Sequence, residues 1–439
     1  MKTAPHWGIV GGGMLGMTLA WELAKSGNRV SLFEAAAEPG GLASAWRLGD
    51  IVWDRHYHVT LLSDAALRAL LADLELERDM RWNKTRTGFY CSGRLCPFSS
   101  AMDFARFPLL NLIEKLRLGA GIYRASRLRS SAPIDGLTAE EWLTRLCGKS
   151  VFRNFWRPLL RSKVGDDYES TSATFIWATI QRLYAARRSG LRAELFGYLP
   201  GGYARMLETF VAALRRKGVC FHLNAAVREV APATDGRVGI EFANSGVEHF
   251  DRVVITVPAP LAARICPRLS AREVQSLCGV EYQGIICASL LLRRSLSEFY
   301  ITNIADNSIP LTGIIEMSSL VDRKMFQGRA LVYLPRYLRP DDPAFLQSDE
   351  ELESELFSAL RRIHSSLGAD DVLASRISRA RYVFARPTPG SASHMPPIDT
   401  TLPCIHILNS AHITGGTLNV NETVQLAQYH ARRLHELAA

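Results

Sequence analysis

The chain has 439 residues, 47% hydrophobic and 22% charged, an ordinary globular composition long enough for two or three domains around a large core. Its formal charge is +9, carried by 44 arginines and only eight lysines, yet no run of five basic residues occurs, which argues against a nucleic-acid partner. Arginine excess is compatible with genome composition, an anionic substrate or an acidic membrane surface.

The chain opens with Gly8-Ile9-Val10, a strand-like apolar run, and then Gly11-Gly12-Gly13-Met14-Leu15-Gly16. An amphipathic stretch from Thr18 to Ser26, a Gly27-Asn28 stop and a second apolar run, Arg29 to Phe33, lead to Glu34. Strand, glycine turn, helix, strand and acid fit the dinucleotide fingerprint G-x-G-x-x-G through Gly11, Gly13 and Gly16. Gly11 permits the tight turn, Gly13 lets backbone approach a pyrophosphate, and Gly16 lets helix pack on strand. The helix N-terminus at Met14 and Leu15 offers free N–H groups and a positive dipole end to phosphates. Glu34, followed by Ala35, can accept both hydroxyls of an adenosine ribose, and its charge repels the 2′-phosphate of NADP.

Pro39-Gly40-Gly41-Leu42-Ala43-Ser44 and Trp53-Asp54-Arg55-His56-Tyr57-His58 come next. A plain NAD dehydrogenase has no use for a second glycine pair. An extended FAD does, because its pyrophosphate and ribityl chain run past the first helix. At these residues the chain resembles the flavin-dependent amine oxidase superfamily, which includes protoporphyrinogen oxidases, carotenoid desaturases, amine oxidases and UDP-galactopyranose mutase. The resemblance makes Gly40, Gly41, Leu42 and Tyr57 cofactor positions. The family usually carries arginine where this chain has Leu42.

Further along, Ser63-Asp64 caps a helix over 65–74, and Thr138-x-x-Glu141 is a capping box opening a helix over 142–146. Arg94 to Phe98 reads as a short strand and turn. Helical spacing recurs at 107–122, 151–160 and 173–186. Pro200-Gly201-Gly202-Tyr203 opens a helix to Lys217, followed by strands at 219–223, 226–230, 238–242, 247–250 and 251–258. The resemblance implies that Val227 meets adenine through its backbone and that Pro258 closes a return to the parallel sheet. Strands at 285–292, 330–337 and 381–385 and a helix at 349–365 suit a substrate-domain sheet. Residues 404–408 form a last buried strand, and a glycine-rich loop then leads to a helix ending near Leu434. In the family that loop and helix face the flavin, which makes Ser410, Gly416, Leu418 and Asn419 cofactor positions. Asn409-Ser410 stands where Gly-Asp is usual.

The implied fold is α/β: a Rossmann-type FAD-binding domain, discontinuous over 1–60, 196–265 and 396–439. An inserted α+β substrate domain covers 61–195 and 266–395. The implied activity is oxidation or desaturation of a C–H bond by hydride transfer to bound FAD. His56 and His58 are the candidate catalytic pair, with polar packing as the alternative. Lys163 resembles the amine oxidases' flavin-side lysine, with a solvated lysine as the alternative. Arg55 and Arg161 could grip a carboxylate or phosphate.

No metal site is expected, since no further ligand lies at the right spacing from the histidines. A redox-neutral mutase on a nucleotide sugar and a non-catalytic FAD-binding subunit are the rival readings. The substrate is expected to be a small, lipid-like or sugar-linked molecule, anionic in one reading. Eight cysteines without a C-x-x-C pair read as free thiols in a reducing cytosol. The start reads as no signal peptide, and apolar runs such as Ile285 to Leu292 fall short of the ~20 residues of a membrane span. A cytoplasmic monomer or homodimer, at most peripheral to a membrane, is expected.

Overall fold

The computed structural model describes residues 4–188, 195–244, 246–306, 308–413 and 418–436. Five short strands form the first sheet in the order Cys220–His222, Arg29–Phe33, His6–Val10, Arg252–Ile255 and Ile405–Ile407. Every pairing in it is parallel. Alternate residues serve opposite faces. Trp7, Ile9, Leu32 and Val254 pack under the helices Met14–Lys25 and Val420–Glu436. Val10, Phe33, Val253 and Ile255 pack against the three-stranded antiparallel sheet of 227–250. Burial on both faces explains why these strands read as unbroken apolar runs.

The second sheet has seven strands in the order Val372–Ala385, Tyr282–Leu292, Ala330–Leu338, Gly313–Glu316, Ile301–Ile304, Thr87–Cys91 and Arg94–Pro97. It is antiparallel except where Ile301–Ile304 runs parallel to Thr87–Cys91. Arg94 to Phe98, read as a short strand and turn, therefore forms a sheet edge. The strand Tyr282–Leu292, second in the order, is buried throughout. Ile286, Ala288 and Leu290 face the helix Asp349–Ile363, and Ile285, Cys287 and Leu291 face Trp53 and Tyr57. The strand expected at 381–385 is the end of a longer one, Val372–Ala385. Arginines on both of its faces, Arg376 toward the Arg47 carbonyl and Arg379 toward Asp349, concealed the rest.

A third core joins the intervening helices through Leu118, Trp142, Phe152, Phe155, Leu160 and Phe175. The helix expected at 107–122 runs over Leu112–Arg127, and a separate short helix, Ala101–Arg106, precedes it and ends ahead of Pro108. Asn111 restarts the chain with a capping box to Glu114. The capping box of Thr138 and Glu141 forms as read. Among the described residues, no helix is long and apolar enough to cross a membrane.

Candidate functional site

The glycine turn joins strand His6–Val10 to helix Met14–Lys25, and its glycines lack side chains for different reasons. Gly11 has φ +114°, and a Cβ there would lie 2.4 Å from Thr256 Oγ1. Thr256 in turn donates its hydroxyl to the Val10 carbonyl at 3.0 Å. A Cβ on Gly16 would stand 2.0 Å from the Gly11 carbonyl oxygen, and one on Gly12 would press on the Glu34 side chain. Gly13 differs: its φ of −73° suits any residue, and a Cβ there meets no atom within 4 Å. Internal packing therefore accounts for Gly11, Gly12 and Gly16 but leaves open space at Gly13.

That space adjoins the N-terminus of the helix that begins at Met14, and the second glycine pair closes on it. The Gly40 N–H donates to the Gly12 carbonyl at 2.8 Å, and a Cβ on Gly41 would lie 3.3 Å from the Gly13 Cα. Gly40 and Gly41 take φ +124° and +56°, the region glycine tolerates best. Leu42 follows them, half-buried. Two buried polar atoms just beyond, Ser44 Oγ and Arg55 Nε, have no hydrogen-bond partner. The Arg55 N–H donates to the Ser44 carbonyl, which ties the two residues together.

Glu34 ends its strand with a carboxylate that accepts the N–H groups of Gly12 at 2.8 Å and Ala36 at 2.9 Å. It is held at the rim of the turn and retains lone pairs for a further donor. Its carbonyl accepts the Ala225 N–H, and its own N–H donates to the His222 carbonyl. This brings Val227, first residue of strand Val227–Pro232, to the same end of the sheet. Ala35 lies exposed beside Glu34.

The segment 53–58 passes between the start of helix Gly202–Arg216 and the seven-stranded sheet. The Asp54 carboxylate is buried at 2% exposure and accepts the Tyr203 N–H at 2.7 Å, at the start of helix Gly202–Arg216. A Cβ on Gly202 would sit 2.6 Å from that carboxylate. The other Asp54 oxygen lies 3.8 Å from His58 Nδ1, too long for a hydrogen bond. The His58 ring packs on Tyr203 at 4.6 Å between centroids. A cavity of about 20 Å³ beside Asp54, His58 and Thr60 has room for roughly one water.

Tyr57 points the other way, its hydroxyl bonded to that of Tyr337 at 2.9 Å. Tyr333, alongside, donates to the Asp54 carbonyl at 2.5 Å. Burial pushes the hydroxyls of Tyr57, Tyr333 and Tyr337 above their ordinary range, so they stay protonated. His56 is buried with Nδ1 unpartnered, and burial, reinforced by His58 and Arg55, pushes its pKa down to about 3. The imidazole is thus neutral at ordinary pH.

Helix Arg157–Val164 carries Arg161 into a cleft of about 350 Å³ that also borders Tyr337, Arg336 and Arg339. Lys163 is exposed on that helix and lines neither cavity. At the C-terminal end, Pro258 precedes helix Ala259–Ile265, and the Ala259 N–H donates to the Tyr282 hydroxyl, which also bonds Ser410. Asn409 is completely buried with its amide nitrogen unpartnered. The last helix begins at Val420, two residues past Leu418, capped by the Asn419 side chain on the Glu422 N–H at 3.0 Å. Gly416 lies outside the described residues.

A parallel sheet with a doubled glycine turn, an acid at the second strand and a wide, mostly antiparallel second sheet suit a protein that holds a dinucleotide cofactor. Residues 15–435 match the model for flavin containing amine oxidoreductases, and the chain belongs to that family. It is 24% identical over 285 residues to hydroxysqualene dehydroxylase of Sinorhizobium fredii, covering 60% of this chain and 63% of that one. It is 25% identical over 270 residues to zeta-carotene desaturase of Synechocystis, covering 55% and 54%. The chain thus spans less than two thirds of these relatives. A protein described as a protoporphyrinogen oxidase from Exiguobacterium superposes with a TM-score of 0.79 over 100% of both chains at 18% identity, a likeness of fold.

Proposed function

We propose that the flavin is FAD, bound in an extended pose along the two glycine segments, and that the enzyme oxidises or desaturates a C–H bond of an apolar substrate. The observation that carries this reading is the unfilled space at Gly13, bounded by Gly41 and lying at a helix N-terminus. Glu34 and the backbone near Val227 would hold the adenosine end. The N–H groups of Met14 and Leu15, with Ser44 and Arg55, would hold the pyrophosphate, Arg55 doing the work of the arginine absent at position 42. Ser410, Leu418 and Asn419 would stand near the remainder. When bound, FAD supplies the hydride acceptor.

The chain's own residues set the rest. Ile285, Cys287, Leu291, Tyr333 and Tyr337 give the sheet face toward Tyr57 an apolar, aromatic character. With His56 neutral and the tyrosines protonated, the surroundings favour an uncharged substrate. Relatives named for hydroxysqualene and zeta-carotene point the same way.

Desaturation also releases a proton. His56, with a pKa of about 3, is a poor acceptor and serves to position. His58, whose Nδ1 lies 3.8 Å from the Asp54 carboxylate, is the other imidazole of the segment and is the candidate acceptor. The mutase reading calls for arginines gathered at a diphosphate. In the 350 Å³ cleft Arg336 is paired with Glu355 and Arg339 with Asp167 and Asp341.

Anaerobic mixing with isoprenoid hydrocarbons tests the reading through loss of the flavin's visible absorption. Bleaching is the expected result, slowed roughly 10²–10⁴-fold by His58→Gln at unchanged flavin content. A flavin that no apolar compound reduces, but that must be pre-reduced before a nucleotide sugar is turned over, would overturn it.

A further inference from the structure

Eleven large hydrophobic side chains are exposed among the described residues, and five of them, Met102, Leu112, Ile113, Leu116 and Tyr123, fall within one short segment. Four lie on helix Leu112–Arg127, which is anchored by its other side through Glu114, Leu118, Gly121 and Ala125. The anchoring is close, since a Cβ on Gly121 would meet Cys147 Sγ at 2.3 Å. The helix cannot roll its apolar side inward.

At about 100° per residue, Leu112, Leu116 and Tyr123 share one line opposite the buried side, with Gly119 and Ala120 between them. Arg117 and Arg124 flank that line on one side and Lys115 on the other. The segment 101–129 holds six basic residues and two acidic ones. Both acids are engaged. Asp103 accepts the N–H groups of Ser99 and Ser100, and buried Glu114 accepts the Asn111 N–H and the Ser150 hydroxyl. The outward face is therefore an apolar stripe with cationic margins, Leu112 being 73% and Leu116 67% exposed.

We propose that this face docks the protein on an anionic lipid bilayer, the helix lying in the plane of the interface. Leu112, Leu116 and Tyr123 enter the acyl boundary, with Ile113 and Met102 beside them. Arg117, Arg124 and Lys115 reach sideways to lipid phosphates, as long cationic chains do when their stems lie along apolar surface. A second copy of the chain fits less well, because facing copies would bring cationic margins together without acids to offset them. A bilayer carrying negative charge satisfies stripe and margins at once.

The test is flotation of the flavin-loaded protein with vesicles of phosphatidylcholine plus phosphatidylglycerol, and with phosphatidylcholine alone. The protein should float with the mixed vesicles and much less with the neutral ones, and added salt should weaken binding. Leu112→Ser with Leu116→Ser should cut binding on the order of tenfold or more. Arg117→Gln with Arg124→Gln should remove the preference for anionic lipid. Both pairs are surface changes, so the thermal melt should not move; a shifted melt is answered by the salt series on the unmodified protein. Absence of flotation, or flotation that both variants leave intact, would overturn the proposal. So would a dimer in solution that only the leucine variant dissociates.

Discussion

Gly13 and Gly16 lie a helical turn apart, and the physics of their missing side chains is opposite. A methyl at Gly16 must displace backbone, whereas one at Gly13 enters open space. Glu34 completes the contrast, since its carboxylate is fixed by two backbone N–H groups before any ligand arrives. Glu34→Ala should therefore weaken FAD retention by roughly 1–3 kcal/mol, the scale of charge-assisted hydrogen bonds, as read by titration of the stripped protein.

His56 gives a second prediction at this scale. Its folded pKa of about 3 lies below the ordinary 6.5, so the unfolded chain binds more protons between those values. Stability is then fully present above pH 6.5 and declines as pH falls toward 3. His56→Gln should flatten that part of the pH–melting curve. A variant with the same acid slope as the parent would show that His56 does not drive it.

Among the elements, the junction of 53–58 with helix Gly202–Arg216 matters most. Asp54 joins the end of one strand to the start of that helix, and Gly202, at φ +66°, makes room for its carboxylate. Asp54→Ala removes the cap and the charge facing His58. It should cost about 1–3 kcal/mol in a denaturant melt, a typical loss for a buried capping carboxylate. A change within a few tenths would contradict the assigned role.

The sequence displayed the first unit well because its signals are local. Gly11, Gly13, Gly16 and Glu34 stand at short, regular spacing, and Thr138 and Glu141 cap within one turn. The strand Val372–Ala385 was only partly legible, because arginines on both faces of a half-exposed edge strand mask its period. Pairings across long separations left no signal: Tyr57 with Tyr337, Asp54 with Tyr203, and Thr256 over Gly11 become visible only in three dimensions. Asp54 and Gly202 were each noticed in motifs, yet nothing in either motif announced that one accommodates the other.

In the whole molecule, the parallel sheet ends in the glycine cradle, and the antiparallel sheet presents an apolar face to the segment that leaves it. FAD binding along the two glycine segments requires that the space at Gly13 belong to a pyrophosphate. The direct measurement is flavin content and identity after acid release, for the parent and for Gly13→Val, with thermal melts of the stripped proteins beside them. Valine's backbone preference suits the extended conformation at Gly13, so the stripped variant should melt with the parent. The parent should release FAD in equal proportion to protein, and the variant almost none. Release of FMN by the parent, or full FAD occupancy in a normally folded Gly13→Val protein, would contradict the account.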